Sequence, residues 1–222
     1  MEEHIVKILS IQRVTHNVKQ YRVEKPAGYK FVPGQATEVA IHKPGWEQEC
    51  RPFTFTSLND WDFLEFTIKS YHDHAGVTHQ LDSLQPGDEL ILHDVWGAIQ
   101  YKGEGVFIAG GAGVTPFIAI FRQLYADGNL GNNMLIFSNK TRADIILEDE
   151  FRKMLGDRFI NTLTQERAEG YDFGKINAEY LKQKIHNFHQ HFYVCGPDPM
   201  VQDIKSALVQ LGASEAAVVV EL

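Results

Sequence analysis

The stretch Gly105-Val106-Phe107-Ile108-Ala109-Gly110-Gly111-Ala112-Gly113-Val114-Thr115-Pro116 decides how the chain is read. Its start, residues 105–109, is an apolar run short enough for a buried strand. The glycines then allow a tight turn, and Pro116 stands where a helix can begin, because a first-turn residue has no use for its N–H. Helical spacing continues over residues 116–126, and Gly128 ends it. Strand, glycine turn and helix in this order open a parallel-sheet unit. A helix start presents unpaired N–H groups and the positive end of its dipole. Gly111, Gly113, Thr115 and Pro116 therefore make either a seat for a diphosphate or a plain strand-to-helix turn.

Toward the C-terminus the alternation repeats. Residues 134–138, 158–164, 191–195 and 216–222 read as strands. Residues 147–155, 178–185 and 199–211 read as helices, with Gly156 and Gly212 as stops. Such alternation predicts an α/β domain with a doubly wound parallel sheet. A second motif, Val194-Cys195-Gly196-Pro197-Asp198-Pro199-Met200, closes what reads as the fourth strand. Ligands of open parallel sheets sit beyond the carboxyl ends of the strands, so both motifs open on one edge. Cys195 is either an ordinary strand residue or a thiol held at the lip by the Gly196-Pro197 turn.

Toward the N-terminus the character changes near residue 103. Residues 4–14, 19–24, 36–41, 53–57, 63–70 and 88–93 are short runs rich in β-branched and aromatic residues. Turns at Pro26-Ala27-Gly28, Pro33-Gly34, Lys43-Pro44-Gly45 and Gln85-Pro86-Gly87 separate them, and a short helix is predicted over residues 78–83. This is the pattern of a barrel or sandwich. With the boundary at Lys102 to Glu104, the domains are 1–102 and 103–222.

Two motifs in this half carry chemistry. In Arg51-Pro52-Phe53-Thr54-Phe55-Thr56-Ser57, an extended strand puts Arg51, Phe53, Phe55 and Ser57 on one face. An arginine fork grips phosphate, an aromatic stacks on a planar ring, and a hydroxyl can bond a ring nitrogen; taken alone, the motif reads better as an edge strand with a surface arginine. Gly76-Val77-Thr78 is a helix start that Thr78 could cap, with or without a phosphate.

The 222 residues suffice for two domains of roughly 100 residues, and 44% hydrophobic with 23% charged residues is ordinary globular composition. The two cysteines, Cys50 and Cys195, fall in different halves and are too few for an iron–sulfur cluster, which takes about four. A net charge of −8 argues against nucleic acid as partner. The start Met1-Glu2-Glu3-His4 lacks a signal-peptide pattern, and no apolar run nears the roughly 20 residues that span a bilayer. The expectation is a soluble, cytoplasmic protein with no membrane contact. His72, His74 and His79, like His186, His189 and His191, read as solvated histidines, so no metal is expected.

Taken as an ordered set, Arg51-Pro52-Phe53-Thr54 with Ser57, Gly76-Val77-Thr78, Gly111 to Pro116 and Cys195-Gly196-Pro197 resemble the ferredoxin–NADP reductase superfamily. That family pairs an antiparallel flavin β-barrel with a nicotinamide dinucleotide α/β domain. The resemblance implies that Arg51, with Pro52 beside it, contacts the flavin phosphate, that Phe53 stacks on the isoalloxazine, and that Thr54 bonds near flavin N5. It implies that Thr67, Ile68 and Lys69 line the ribityl and phosphate region and that Gly76, Val77 and Thr78 hold the diphosphate, favouring FAD over FMN. Gly111, Gly113, Thr115 and Pro116 would hold the dinucleotide, together with Cys195, Gly196, Pro197, Asp198 and Met200. Thr54, Cys195 and Glu221 would form the catalytic centre. Phe53 stands where the family usually has tyrosine, and Glu221-Leu222 supplies no terminal aromatic.

After the second strand of the α/β half, Asn139, Lys140 and Arg142 bring two cations, with no carboxylate before Asp144. This tilts the expectation to NADPH, with NADH as the alternative. The implied activity is hydride transfer from the nicotinamide through FAD to a separate carrier: flavodoxin, ferredoxin or an oxygenase component. A reductase of free flavin or quinone, and a non-catalytic nucleotide-binding subunit of the same fold, are the competing readings.

Overall fold

The chain is described from a computed structural model covering residues 2–72, 76–97 and 99–221, the side chain of Glu221 excepted. His74 and Leu222 lie outside the described residues.

The first half is a six-stranded antiparallel sheet in the order β4-β3-β6-β1-β2-β5, built from β1 (His4–Thr15), β2 (Val18–Glu24), β3 (Ala36–Ile41), β4 (Arg51–Thr54), β5 (Phe63–Lys69) and β6 (Glu89–Trp96). It closes on itself. β4 stops at Thr54, and the chain then bridges from Phe55 to Phe66 and from Thr56 N–H to Glu65 O (2.8 Å). The strand expected over residues 53–57 thus begins earlier and changes partner, because one segment must pair with β3 at one end and β5 at the other. Val6, Tyr21, Val39, Phe55, Leu64, Phe66, Ile68 and Leu92 fill the interior, and α1 (Val77–Asp82) plugs one end with Val77 and Leu81.

The second half is a parallel sheet in the order β10-β9-β8-β7-β11-β12. Its elements are β7 (Gly105–Gly110), α2 (Thr115–Ala126), β8 (Met134–Asn139), α3 (Glu148–Leu155), β9 (Phe159–Leu163), β10 (Asp172–Phe173), α4 (Ala178–Lys184), β11 (His191–Cys195), α5 (Asp198–Gln210) and β12 (Val218–Glu221). β10 was not expected, which makes β11 the fifth strand of this half rather than the fourth. Alternate residues of each strand serve opposite faces. Phe107, Ala109, Leu135, Phe137 and Tyr193 pack on Phe117, Phe121 and Phe151 of α2 and α3, while Val106, Ile108, Ile136, Phe192 and Val194 pack on Leu181, Val201, Ile204 and Leu208 of α4 and α5. Among these helices α2 stands apart. Seven of its residues are buried in an unbroken stretch from Pro116 to Phe121 plus Leu124, too wide an apolar surface for one sheet to cover. Ile120 meets the Pro33-Gly34 turn of the barrel, and Val18 and Ile99 join the same cluster, so α2 lies between the sheet and the barrel.

The connection between the halves is clamped by one phenol. The Tyr193 hydroxyl accepts from the N–H groups of Lys102 (2.9 Å) and Gly103 (3.1 Å) and donates to Gly103 O (2.8 Å). Its ring is buried in the aromatic stack with Phe107. Replacing Tyr193 with Phe keeps the ring and strands two partly buried N–H groups, a loss of about 1–3 kcal/mol. Urea unfolding should show it; a change near zero would mean that the connection is held by something else.

Candidate functional site

Three loops at the carboxyl edge of the parallel sheet converge on one spot. The first follows β7, where residues 111–114 form a single 3-10 turn running directly into α2, with Thr115 and Pro116 in its first turn. Gly111 takes a left-handed conformation (φ +52) that side chains rarely adopt. Gly113 leaves no room for a side chain, since a Cβ there would run into the Cys195 carbonyl. The second loop follows β11, whose Cys195 pairs in register with Ala109 and with Glu221 of β12. This pairing puts the backbone of Glu221 beside Cys195; its side chain lies outside the described residues. The third follows β8. There Asp144 closes a turn by accepting from Thr141 N–H (3.0 Å) and Thr141 Oγ1 (2.7 Å).

Between these loops is a cavity of about 180 Å3 lined by Gly110, Gly111, Ser138, Asn139, Lys140, Asp144, Thr164, Pro197 and Met200 and, from the barrel, by Lys69. A second cavity of about 270 Å3 adjoins it, sharing Ser138, Thr164, Pro197 and Met200 and adding Lys175, Ile176, Pro199 and Asp203. Asn139 is 5% exposed, and neither its amide nitrogen nor its oxygen has a hydrogen-bond partner. A buried amide left unbonded costs free energy, and Asn139 is one of the residues that line the cavity. A diphosphate-linked nucleotide fits such a donor set: glycine backbone against the diphosphate, a lysine for its charge, an amide for a hydroxyl or base.

Of the expected residues, the structure gathers Lys69, Gly111, Asn139, Lys140, Pro197 and Met200 on this cavity, with Gly113 and Cys195 directly behind. Lys69, expected at the flavin's ribityl region, stands on the outer row of β5 and lines this cavity. Arg142 turns from the cavity: its backbone N–H bonds Glu166 (2.8 Å), and its guanidinium lies near Glu148 (3.8 Å) and over the Tyr171 ring. Asp198 is exposed at the start of α5 and Gly196 is half-buried. Thr164, Lys175 and Ile176 were missed. Thr164 follows β9, and the strand-end rule that found Cys195 applies to it equally. Lys175 and Ile176 follow the two-residue β10, which left no periodic signal.

On the barrel, Arg51 and Pro52 are exposed and Phe53 and Thr54 half-buried. The Arg51 guanidinium donates to Cys50 O (2.6 Å) and lies 3.7 Å from Glu49. Thr54 pairs across β3 with Ala36, while Phe53 leans on the barrel core. Four expected residues are buried. Ile68 and Val77 are part of the core. Ser57 is fully buried, accepting from Glu65 N–H (3.0 Å), and Thr67 is bonded by Gln20 and Thr56. The side chains of these four serve the barrel, so only their backbone is available to a flavin. Gly76 and Thr78 sit half-buried at the start of α1, with no side-chain cap on the helix and with Thr78 Oγ1 accepting from Tyr71 N–H (3.4 Å). Among the described residues there is no cluster of histidines, cysteines and carboxylates that could hold a metal, and no helix is long and apolar enough to cross a membrane.

Comparison with known proteins finds a match in each half. Residues 5–101 match the model for an oxidoreductase FAD-binding domain, and residues 107–206 that for an oxidoreductase NAD-binding domain. The chain is 30% identical over 232 residues to NADH-cytochrome b5 reductase 1 of Aspergillus terreus, covering 94% of this chain and 78% of the relative. It is 28% identical over 213 residues to the reductase component of propane 2-monooxygenase from Rhodococcus jostii, covering 88% of this chain but only 56% of that longer relative. A solved ferredoxin NADP+ reductase from Neisseria gonorrhoeae with bound FAD and NADP superposes with a TM-score of 0.88 at 21% identity, over 100% of this chain and 98% of that one, and so shares its fold.

Asn139 gives a direct test. Leucine has a similar volume and no polar atom to leave unbonded, so Asn139→Leu should unfold at equal or higher urea. Binding of nicotinamide dinucleotide, followed by calorimetry, should weaken about tenfold or more, the loss of roughly one hydrogen bond of 1.4 kcal/mol. Unchanged affinity would show that the amide does not face the ligand.

Proposed function

Because the chain belongs to the ferredoxin–NADP reductase superfamily of FAD- and NAD-binding oxidoreductases, we propose that it takes a hydride from NADH and passes the electrons through FAD to a separate one-electron acceptor protein. The observation that carries this reading is the cavity whose wall is shared by the glycine turn after β7 and by Lys69 of the barrel. A dinucleotide seated there touches both halves.

Bound FAD supplies the chemistry, since it accepts a hydride and can release electrons singly. The chain's own work is to seat and align. Arg51, exposed beside the half-buried Phe53 and Thr54, would take the flavin phosphate; the fork geometry of arginine suits it. Phe53 and Thr54 would fix the ring, and the backbone from Gly76 to Thr78 would hold the diphosphate. Gly111, Gly113, Thr115 and Pro116 would hold the nicotinamide nucleotide's diphosphate at the α2 start, with Lys69 opposite and Asn139 bonding the nucleotide. Cys195 and Glu221, side by side on β11 and β12, would direct the nicotinamide toward Thr54. Hydride transfer requires the reacting atoms at about 3–3.5 Å, which alignment alone can supply.

The donor preference follows from charge. Lys140 and Arg142 together would favour the 2′-phosphate of NADPH. With Arg142 drawn to Glu148 and Tyr171, Lys140 remains on a cavity wall that Asp144 also lines. A single lysine in a wall that also holds a carboxylate favours a ribose hydroxyl over a phosphate, hence NADH. Relatives named NADH-cytochrome b5 reductase support the same choice.

The acceptor is a carrier protein: a flavodoxin, a ferredoxin, a small haem protein or an oxygenase component, the last two being the kinds that the names of the relatives indicate for those proteins.

The purified protein should be yellow and bleach under anaerobic NADH, with kcat/KM at least tenfold higher for NADH than for NADPH. A colourless protein inert to both donors would end the reading, and flavin lost on gel filtration would make flavin a substrate. Cys195→Ala should retain FAD yet slow flavin reduction in stopped flow; an unaltered rate would remove Cys195 from the site.

A further inference from the structure

Arg122 is seven residues past Thr115, on the helix whose first turn carries the dinucleotide loop. Its side chain is 11% exposed and bridges the two domains. Nη1 donates to Glu65 Oε1 on β5 (2.7 Å) and to Thr56 O at the barrel closure (2.6 Å), while Nε and Nη2 hold both oxygens of Glu150 on α3 (2.5 and 2.9 Å). The Trp61 ring stacks on the guanidinium at 5.3 Å. Glu65 is 1% exposed, and its second oxygen takes Arg22 Nε at 3.1 Å. Burial disfavours the charge on Arg122, but the bonds to Glu150 and the field of Glu65 outweigh it and hold its pKa above the usual arginine value.

Charged groups in such a seam are an expensive way to join domains. Apolar side chains of like volume are often as stable or more so. What the guanidinium adds is direction: its planar fork accepts partners only at set angles. The partners chosen here lie next to the site. Thr56 is two residues beyond Thr54, on the strand proposed to face the flavin ring. Glu65 shares the outer row of β5 with Lys69, which reaches the dinucleotide cavity. At the other end, about 10 Å of helix joins Arg122 to Thr115.

We propose that Arg122 is a positioning residue that sets the approach of the nicotinamide to the flavin, by locking the Thr54–Thr56 strand to the helix that presents the dinucleotide loop. The inference rests on the function proposed above. It does not need Arg122 to touch either cofactor. Loosening this bridge should spoil the stacking of the two rings while leaving each cofactor bound by its own domain.

Arg122→Met alone strands the buried Glu65, so the decisive variant is the double substitution Arg122→Met with Glu65→Gln, set beside Arg122→Lys. Three quantities are measured on the flavin-loaded proteins: the dissociation constant of NADH, the limiting rate of flavin reduction in stopped flow, and the long-wavelength charge-transfer absorbance of the reduced protein with NAD+, which reports ring stacking without turnover. The double variant should keep FAD and bind NADH within threefold of wild type. Its limiting rate should fall tenfold or more and its charge-transfer band by more than half, with Arg122→Lys intermediate in both. A double variant within twofold of wild type in rate and band overturns the proposal. So does loss of FAD from both variants, which would make Arg122 a support of the barrel. A wild-type protein that neither bleaches nor shows the band sinks the underlying function, and this inference with it.

Discussion

Helix α2 is covered on both sides, by the parallel sheet beneath it and by the barrel above it, and the rest of the molecule is arranged around that burial. Its apolar stretch from Pro116 to Phe121 supplies more surface than one layer can hide. Phe117 and Phe121 face the aromatic stack of Phe107 and Tyr193, while Ile120 meets the Pro33-Gly34 turn. Each fully buried aromatic or aliphatic side chain is worth about 1.5–3 kcal/mol, so separating the domains would expose several such groups at once. The two halves are thereby held as one body. A helix fixed in this way starts at the glycine turn whose Gly111 lines the cavity.

The same packing explains why the outer row of β5 is unusual. In a free-standing barrel, outward residues meet water, and Glu65, Thr67 and Lys69 are ordinary surface choices. Here Arg122 of α2 reaches the row, and Glu65 and Thr67 are buried with their polar atoms matched by Arg122, Arg22, Gln20 and Thr56. The row passes from a tightly bonded carboxylate at one end to an amine on the cavity wall at the other. The seam between the domains and the wall of the site are thus one continuous strip.

The sequence shows those parts whose cause is local. Period-two strands, glycine stops and the 105–116 turn located nearly every element within a residue or two, because each depends on its own side chains and its neighbours. What escaped depends on distant partners. β10 is two residues long and exists only because β9 offers an edge. The inward turn of Ser57 follows from closing the barrel, which no alternation within one strand reveals. Arg122 looks like an ordinary break in an apolar helix until Glu65 and Glu150 are placed beside it. Arg142 and Lys140, near neighbours in the chain, appeared equivalent until one was drawn to Glu148 and Tyr171.

Two of the buried polar groups near the site are ones that a core selected for stability would not keep. Asn139 has both amide atoms unbonded in a cavity wall, and Arg122 carries a charge into a seam where apolar side chains would serve. They differ in kind. Asn139 is unsatisfied within the fold, and it lies among the residues that line the cavity. Arg122 is fully satisfied, so its cost is already met within the fold, and what it returns must be geometric. Such departures from the most stable choice concentrate where a protein works. That one lies where a ligand would sit and the other on the joint between the two ligand-bearing halves is the strongest physical reason to regard the cleft between barrel and sheet as the working part of this molecule.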